Sequence, residues 1–253
     1  MRLDCYLYSI KKYGSRTKAA EAVSRGEVLY NGKTVSPSRE VVDGKLISYK
    51  SESVSFVSVG AYKLEKAIED FGVQTDGLVF ADIGASAGGF TDVLLKRGAK
   101  RVYAVDVGES LINEGLKNNP KVIVKDNINA RNLEFSDVGE TVDGIVTDVS
   151  FISLTYILLN FKKILKDNGY IIALIKPQFE CGKKFLNKNG IVTDKKARAE
   201  AVKKIYDYSL SIGLYPKDFT VSPIHENKNT EYLILLSLDN KDIISADTVI
   251  KKI

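Results

Sequence analysis

The stretch from Leu78 to Thr91, LVFADIGASAGGFT, constrains the fold of this chain more than any other segment. Four apolar residues lead into Asp82, glycines and small residues follow, and apolar side chains then recur at helical spacing from Phe90. A buried strand, a glycine turn and a helix form the first unit of a nucleotide-binding parallel sheet. The spacing G-x-x-x-G-G is neither the dinucleotide motif nor a P-loop. A tight connection without a ligand therefore remains the alternative.

Apolar strands and helices alternate along the chain after this stretch. No helix separates the last two strands. We therefore predict a Rossmann-like, mostly parallel α/β sheet whose last strand is antiparallel. Beyond the first strand, strands are predicted at 101–106, 121–125, 142–148, 170–176, 218–221 and 231–238. Helices are predicted at 62–71, 89–97, 109–117, 154–165 and 194–211.

Residues 1–50 have the pattern of a small α/β module. Helical spacing over 2–12 is followed by Ser15, a helix N-cap residue, and a second helix over 17–25 that Gly26 would end. Two short apolar runs around Asn31-Gly32 then predict a hairpin. A last strand and a linker are expected in 51–59. We place the domain boundary after residue 58, with the small module and linker in 1–58 and the sheet domain in 59–253.

The net charge of +5 is concentrated in the small module, where residues 1–58 carry ten lysines and arginines against six acids. This excess favours a polyanionic partner, although a merely solvated basic surface is the alternative. The patterns S-R-T-K-A and G-x-V-x-x-N-G-K-x-V resemble the RNA-binding module of a ribosomal small-subunit protein, pseudouridine synthases and tyrosyl-tRNA synthetases. The predicted RNA contacts are Arg2, Arg16, Lys18, Arg25 and Lys33.

Cysteine and histidine are too scarce for several kinds of site. Cys5 and Cys181 have no metal-ligand spacing, and His225 is the one histidine, so we predict no metal site, disulfide framework or Ser-His-Asp triad. His225 is expected to cap or pack in a loop. No apolar run approaches the roughly 20 residues of a membrane span, and the N-terminus lacks a secretory signal. The expected location is the cytoplasm.

The carboxyl ends of the parallel strands should form the ligand site. Asp82 ends the first strand, and Asp106 ends the second, where a carboxylate can accept both hydroxyls of a ribose. Polar residues after the third strand, among them Asp126, Asn127 and Asn129, could bind a base edge. The predicted cofactor-binding residues are Asp82, Gly84, Ala85, Ser86, Gly88, Gly89, Phe90, Asp106, Asp126, Asn129 and Asp148.

Four charged residues should also meet at this edge. Asp148 and Lys176 end the fourth and fifth strands, Glu231 begins the antiparallel last strand, and Lys63 lies on the helix before the first strand. Charges next to strongly apolar strands are partly desolvated, which favours a functional role. A surface ion-pair cluster is the alternative.

Seven motifs together resemble the TlyA family of bacterial ribosomal RNA 2′-O-methyltransferases, also catalogued as hemolysin A. The sequence departs from the motifs of this family at Val59, and this departure affects an expected contact with phosphate. The motifs are VGAYKL at 59–64, DIGASAGGFT at 82–91, VDVG at 105–108, NAR at 129–131, TDVSFISL at 147–154, IKPQFE at 175–180 and NTEYLILL at 229–236.

This resemblance implies S-adenosylmethionine as donor and a ribose 2′-hydroxyl of ribosomal RNA as acceptor, with a large-subunit cytidine favoured. It also implies a Lys-Asp-Lys-Glu catalytic tetrad, shared with FtsJ-type enzymes, at Lys63, Asp148, Lys176 and Glu231. We assign Lys176 as the base and Lys63 as the cation that lowers its pKa and holds the RNA. Asp148 would orient Lys176, and Glu231 would position Lys63 or the ribose.

Other chemistries fit these residues less well. Amino-group methylases of this fold usually carry Asp/Asn-Pro-Pro-Tyr/Phe, whereas the sequence here is Asp148-Val149-Ser150-Phe151. Methylation of a pyrimidine carbon needs a cysteine nucleophile, for which Cys181 is the candidate. An RNA-binding assembly factor without catalysis and a membrane-lytic hemolysin remain as alternatives. The latter lacks both a membrane span and a convincing basic amphipathic helix.

Overall fold

The computed structural model of the chain describes residues 1–24, 26–41, 43–49, 56–223 and 229–253. These residues form two compact units, Met1–Ser55 and Phe56–Ile253. The division lies close to the boundary predicted after residue 58, which stays a prediction. Among the described residues, no helix has the length and apolar character needed to cross a membrane.

The small unit packs two helices against a three-stranded antiparallel sheet of order β2-β1-β3. Asn31 and Gly32 have φ values of 53° and 72°, and Tyr30 pairs with Lys33, which confirms the predicted two-residue hairpin turn. The Ser15 hydroxyl accepts a hydrogen bond of 3.2 Å from the Lys18 amide, as predicted for an N-cap. The elements are α1 Leu3–Ser9, α2 Arg16–Ser24, β1 Val28–Tyr30, β2 Lys33–Thr34 and β3 Ile47–Tyr49.

Two predictions for the small unit need correction. The first helix ends at Ser9 rather than at residue 12, and Lys11 has a positive φ of 56°. Among the described residues, the last strand of this unit is Ile47–Tyr49, which precedes the predicted segment 51–59. Residues 51–55 of that segment lie outside the described residues, and residues 56–59 are not a strand.

The large unit contains a seven-stranded sheet of order β6-β5-β4-β7-β8-β10-β9. All neighbours from β6 to β8 are parallel, and β10 is antiparallel to both β8 and β9. The predicted fold class is confirmed. The strands are β4 Val79–Ile83, β5 Arg101–Val105, β6 Val122–Lys125, β7 Val142–Thr147, β8 Leu165–Ile175, β9 Tyr215–Val221 and β10 Tyr232–Ser237.

Buried apolar clusters cover both faces of this sheet, which is why all five residues of β4 are buried. Four elements had wrong predicted bounds, among them β9, which begins at Tyr215 rather than at residue 218. The helix expected at 109–117 is only Glu114–Lys117, and the one expected at 154–165 is a 3₁₀ turn followed by Leu158–Phe161. β8 begins at Leu165 because this residue pairs with Val142 across an irregular register. The helices are α3 Ala61–Phe71, α4 Gly89–Lys96, α5 Glu114–Lys117, α6 Phe135–Val138, α7 Leu158–Phe161, α8 Pro177–Glu180, α9 Lys195–Ser211 and α10 Ala246–Lys251.

Candidate active site

The glycine turn joins β4 to α4 at the carboxyl edge of the sheet. Gly88 has a φ of +89°, and a Cβ there would lie 2.4 Å from Leu116 Cδ1. A Cβ on Gly89 would lie 2.1 Å from Ser58 Oγ. Larger residues would therefore strain the turn and push it away from its neighbours, which explains why small residues occur here.

Asp82, the acidic residue of β4, is 1% exposed. Its Oδ2 atom accepts hydrogen bonds from the Thr91 amide (2.9 Å) and hydroxyl (2.7 Å). Its Oδ1 atom has no hydrogen-bond partner among the described residues. Burial raises the pKa of Asp82 to about 7, although the Thr91 hydrogen bonds oppose the shift. Asp82 lines a cavity of about 240 Å³. A cationic N–H donor bound there would satisfy the Oδ1 atom.

Asp106, which follows β5, holds the glycine turn from the other side. Its Oδ2 atom accepts a 2.8 Å hydrogen bond from the Ser86 amide, and its Oδ1 atom accepts one of 2.8 Å from the Gly108 amide. Asp106 and Asn129 line a second cavity of about 550 Å³. The two cavities adjoin, because four residues line both of them: Gly84, Ser86, Asp148 and Ser150.

The predicted cofactor-binding residues are distributed unevenly around these cavities. Asp82, Ala85, Gly89 and Phe90 line the smaller cavity only. Gly88 and Asp126 are not among the lining residues of either one. Gly88 instead caps α4, and Asp126 accepts a 3.1 Å hydrogen bond from the Ser110 amide. Their predicted roles in cofactor binding stay predictions.

The four charged residues that the strand ends were expected to gather do meet, and they form a chain of alternating charge. Lys63 Nζ lies 2.7 Å from Glu231 Oε2 and 3.5 Å from Asp148 Oδ2, and Lys176 Nζ lies 2.5 Å from Asp148 Oδ1. All four side chains are largely buried, between 10% and 21% exposed. We call this chain the tetrad. Its members hold one another in place away from bulk water.

Each member of the tetrad is positioned by a different element. Lys63 lies in the first turn of α3, Asp148 follows β7, and Lys176 is the N-cap of α8 after β8. Glu231 reaches the same edge because β10 runs antiparallel to β8, with its first residue Tyr232 opposite Ile175. The reversal of β10 is therefore what completes the tetrad.

The charge of Lys63 is secured by its two acidic neighbours. Burial acts to lower the pKa of this ammonium, but Asp148 and Glu231 outweigh burial and raise the pKa above its ordinary value. Lys63 therefore remains a cation at neutral pH. It lies near the positive N-terminus of α3, where a lysine is locally unfavourable, and the two carboxylates compensate for this.

Comparison with known proteins places this geometry in a family. Residues 56–237 match the model of the FtsJ-like methyltransferases, and residues 1–47 match the S4 domain. The first match covers well over half of the chain. The chain belongs to the FtsJ-like methyltransferase family. This membership confirms the predicted enzyme class, and the S4 match confirms the resemblance of the small unit to that RNA-binding module.

Two curated relatives align over nearly the full chain. Hemolysin A of Brachyspira hyodysenteriae is 38% identical over 238 residues, covering 92% of this chain and 98% of the relative. The 16S/23S rRNA (cytidine-2′-O)-methyltransferase TlyA of Mycobacterium tuberculosis is 36% identical over 248 residues, covering 97% and 92%. The resemblance to the TlyA family is thereby confirmed.

A solved structure from the same group has the same fold. It is a Lactococcus lactis protein described as a candidate hemolysin, with a TM-score of 0.74 and 38% sequence identity. The alignment covers 79% of this chain and 99% of the other.

Two further residues of this methyltransferase belong to the site, Ser150 at the tetrad and Phe151 at the larger cavity, and the sequence pattern does not single them out. Ser150 Oγ accepts a 2.8 Å hydrogen bond from Lys176 Nζ. Phe151 is 90% exposed, has a positive φ of 63°, and its ring centroid lies 5.1 Å from that of Phe179. A loop has no periodicity, so the sequence does not distinguish an exposed phenylalanine from a core one. The Asp-Val-Ser-Phe segment after β7 is the only available signal.

The predicted RNA contacts belong to the small unit. Arg2, Arg16, Lys18 and Lys33 are exposed there. Arg25 lies outside the described residues, as does His225. The roles of these side chains stay predictions.

Cys181, the alternative nucleophile, ends α8 and does not line either cavity. Burial raises the pKa of its thiol, which disfavours the reactive thiolate. In the part of the chain that is described, no cluster of histidine, cysteine and acidic residues could hold a metal ion. The geometry therefore favours chemistry at the tetrad over chemistry at Cys181.

Proposed function

We propose that this protein transfers a methyl group from S-adenosylmethionine to a ribose 2′-hydroxyl in ribosomal RNA, with a large-subunit cytidine as the favoured target. The observation that carries the proposal is the tetrad, which lies beside cavities lined by Asp82 and Asp106. The Mycobacterium relative is named as a cytidine-2′-O-methyltransferase of 16S and 23S rRNA, which supports both the ribose acceptor and the cytidine nucleotide. The proposed location of the protein is the cytoplasm.

The two cavities suit the parts of S-adenosylmethionine. The free Oδ1 atom of Asp82 would accept a hydrogen bond from the methionine ammonium group. Asp106 would bind the ribose hydroxyls, and Asn129 lies where a base edge would be reached. When bound, this donor supplies an electrophilic methyl group.

Lys176 is proposed to take the proton of the 2′-hydroxyl. The Lys63 ammonium, fixed between two carboxylates, would attract the RNA phosphates. Asp148 and Ser150 would orient the Lys176 amine, because both contact Nζ. Asp148 would also balance the positive charge of a bound donor. Glu231 would position Lys63.

We expect cofactor affinity to depend on pH through Asp82. An ammonium group prefers the ionised carboxylate, so affinity should be low below the pKa of about 7 and should rise above it. Binding of the unreactive product S-adenosylhomocysteine, measured by calorimetry, should strengthen roughly tenfold between about pH 6 and pH 8. Asp82→Asn should bind weakly at every pH, whereas Asp143→Asn, far from the cavity, should keep the wild-type profile. A flat wild-type profile would contradict the role of Asp82.

We expect Phe151 to stack on the base of the target nucleotide. An exposed aromatic ring on a positive-φ backbone is costly, and such strain is typical of ligand-binding positions. Stacking is worth about 1–3 kcal/mol per base, so Phe151→Ala should lower kcat/KM for RNA by about tenfold to a hundredfold. Cofactor affinity should not change, and Phe151→Tyr should restore activity. Phe135→Ala, at another exposed ring, is the matched control and should behave as wild type.

Methyl transfer itself tests the proposed function. Purified protein would be incubated with labelled S-adenosylmethionine and unmodified large or small ribosomal subunits. The RNA would then be digested and its nucleosides identified by mass spectrometry. We expect 2′-O-methylcytidine from large subunits with the wild type and none with Lys176→Ala.

Other outcomes identify the alternatives. A base-methylated product would indicate Cys181 as the nucleophile or another methyl acceptor. RNA binding without any product would indicate an assembly factor. Rupture of lipid vesicles by the pure protein would support the lytic activity that the names of some relatives describe.

A further inference from the structure

The small unit contains a buried acid among its proposed RNA contacts. Asp4, in the first turn of α1, is 2% exposed. Its Oδ1 atom accepts hydrogen bonds from Arg2 Nε (3.1 Å) and the Cys5 amide (2.8 Å). Its Oδ2 atom accepts from Arg2 Nη2 (3.0 Å) and Arg16 Nε (3.1 Å). One carboxylate thus joins two arginines that are 14 residues apart in sequence.

The arginines themselves remain open to solvent. The side chains of Arg2 and Arg16 are 50% and 54% exposed. Asp4 contacts only part of each guanidinium group, which leaves most of the N–H donors of both arginines available to another acceptor. Mild acid does not protonate this carboxylate. Burial opposes its ionisation, but the hydrogen bonds from Arg2 and Arg16 outweigh burial and lower the pKa of Asp4 to about 2.

We propose that Asp4 is a positioning residue for RNA binding: it holds Arg2 and Arg16 side by side as a preformed clamp for the phosphate backbone. The inference rests on the proposed function, since it requires that the substrate be RNA. A free arginine loses side-chain entropy when it is immobilised. A clamp that is ordered before binding has already met most of this cost.

Simple electrostatics predicts the opposite effect of removing Asp4. An acid beside two arginines cancels part of their charge, so its neutralisation should strengthen binding to a polyanion. If Asp4 acts by orientation, its neutralisation should instead weaken binding. The sign of the change therefore distinguishes the two roles.

The chain offers a matched control for the charge. Glu40 pairs with Arg2 through an isolated backbone bridge, so it lies close to the clamp. Its side chain is exposed, and among the described residues it forms no ion pair with either arginine. Glu40→Gln removes the same charge from nearly the same place without releasing Arg2 or Arg16.

The test measures binding of the full chain to transcribed large-subunit ribosomal RNA by filter binding over a series of salt concentrations. At about 150 mM salt we expect Asp4→Asn to bind about tenfold more weakly. Its salt dependence should be shallower, because each lost phosphate contact reduces the slope by roughly 0.7–0.9. Glu40→Gln should bind as well as the wild type or slightly better. For both variants, the kcat at saturating RNA should equal that of the wild type. Equal or tighter binding by a folded Asp4→Asn protein would overturn the proposal.

A second pair of variants keeps the proposal testable if Asp4→Asn fails to fold. Arg2→Lys and Arg16→Lys keep the charge and leave Asp4 in place, but they lose the planar fork that Asp4 aligns. We expect each to weaken RNA binding about fivefold, and unchanged affinity in both would refute the clamp. A wild type that neither binds nor methylates ribosomal RNA would instead refute the proposed function.

Discussion

Replacement of Lys176 by alanine is expected to abolish methyl transfer while cofactor affinity stays close to that of the wild type. Lys176 contacts Asp148 and Ser150 at the edge of the cofactor cavity, so its loss removes the proposed base without reshaping the positions of Asp82 or Asp106. General bases contribute about 10²–10⁴ to the rate, and we expect a loss of at least about 10³ in kcat. Single-turnover transfer to ribosomal subunits measures the chemical step directly.

Lys176→Arg separates a base from a fixed charge. Arginine would keep the ion pair with Asp148 but cannot release its proton at neutral pH. If Lys176 acts as a base, this variant should be nearly as inactive as Lys176→Ala. Substantial activity in Lys176→Arg would show that the charge alone suffices. Lys166→Ala, at the opposite end of β8, is the matched control and should retain activity because Lys166 pairs with Asp143 away from the site.

Replacement of Lys63 by methionine is expected to reduce both activity and stability. The change leaves Asp148 and Glu231 without the cation between them, and breaking a buried ion pair costs roughly 3–5 kcal/mol. Because the tetrad is not completely buried, we expect a decrease of about 2 kcal/mol in the free energy of unfolding. Turnover should fall by at least about a hundredfold, since the fixed charge beside Lys176 is lost.

A double variant tells these two effects apart. Lys63→Met combined with Glu231→Gln removes the uncompensated acid, so part of the stability should return while activity stays low. Denaturant unfolding and methyl transfer would be measured on the same samples. Lys66→Met, on the same helix, loses only an exposed pair with Asp70 and should change neither quantity appreciably. Recovery of activity in the double variant would contradict the role of Lys63.

Much of the large unit could be predicted from local patterns. The apolar run before Asp82 and the small residues after it indicate the β4–α4 connection, and the missing helix before β10 indicates its reversal. Boundaries were less accurate where a segment lacks periodicity. The polar residues at the start of β8, Lys166 to Gly169, have the composition of a turn, but they continue the strand because Val142 on β7 pairs with Leu165.

The strand-end argument predicts the site as a set of residues, and the family resemblance adds which of them should contact one another. The strand-end argument gathers Lys63, Asp148, Lys176 and Glu231 from their places in the alternating pattern. It does not indicate that Lys63 bonds most closely to Glu231, 168 residues away, or that Lys176 pairs with Asp148. It also leaves Ser150 and Phe151 unmarked, because their positions depend on the path of one loop.

By itself, the sequence determined the kinds of elements, their order and the residues at the strand ends. These features follow from hydrophobic periodicity and turn chemistry, which act over a few neighbouring residues. The tertiary structure alone decided the insertion of β10 between β8 and β9, the distances within the tetrad and the Asp82 oxygen that lacks a partner among the described residues. Such contacts join residues far apart in the chain, and they form only when packing brings the elements together and excludes water from the charges between them.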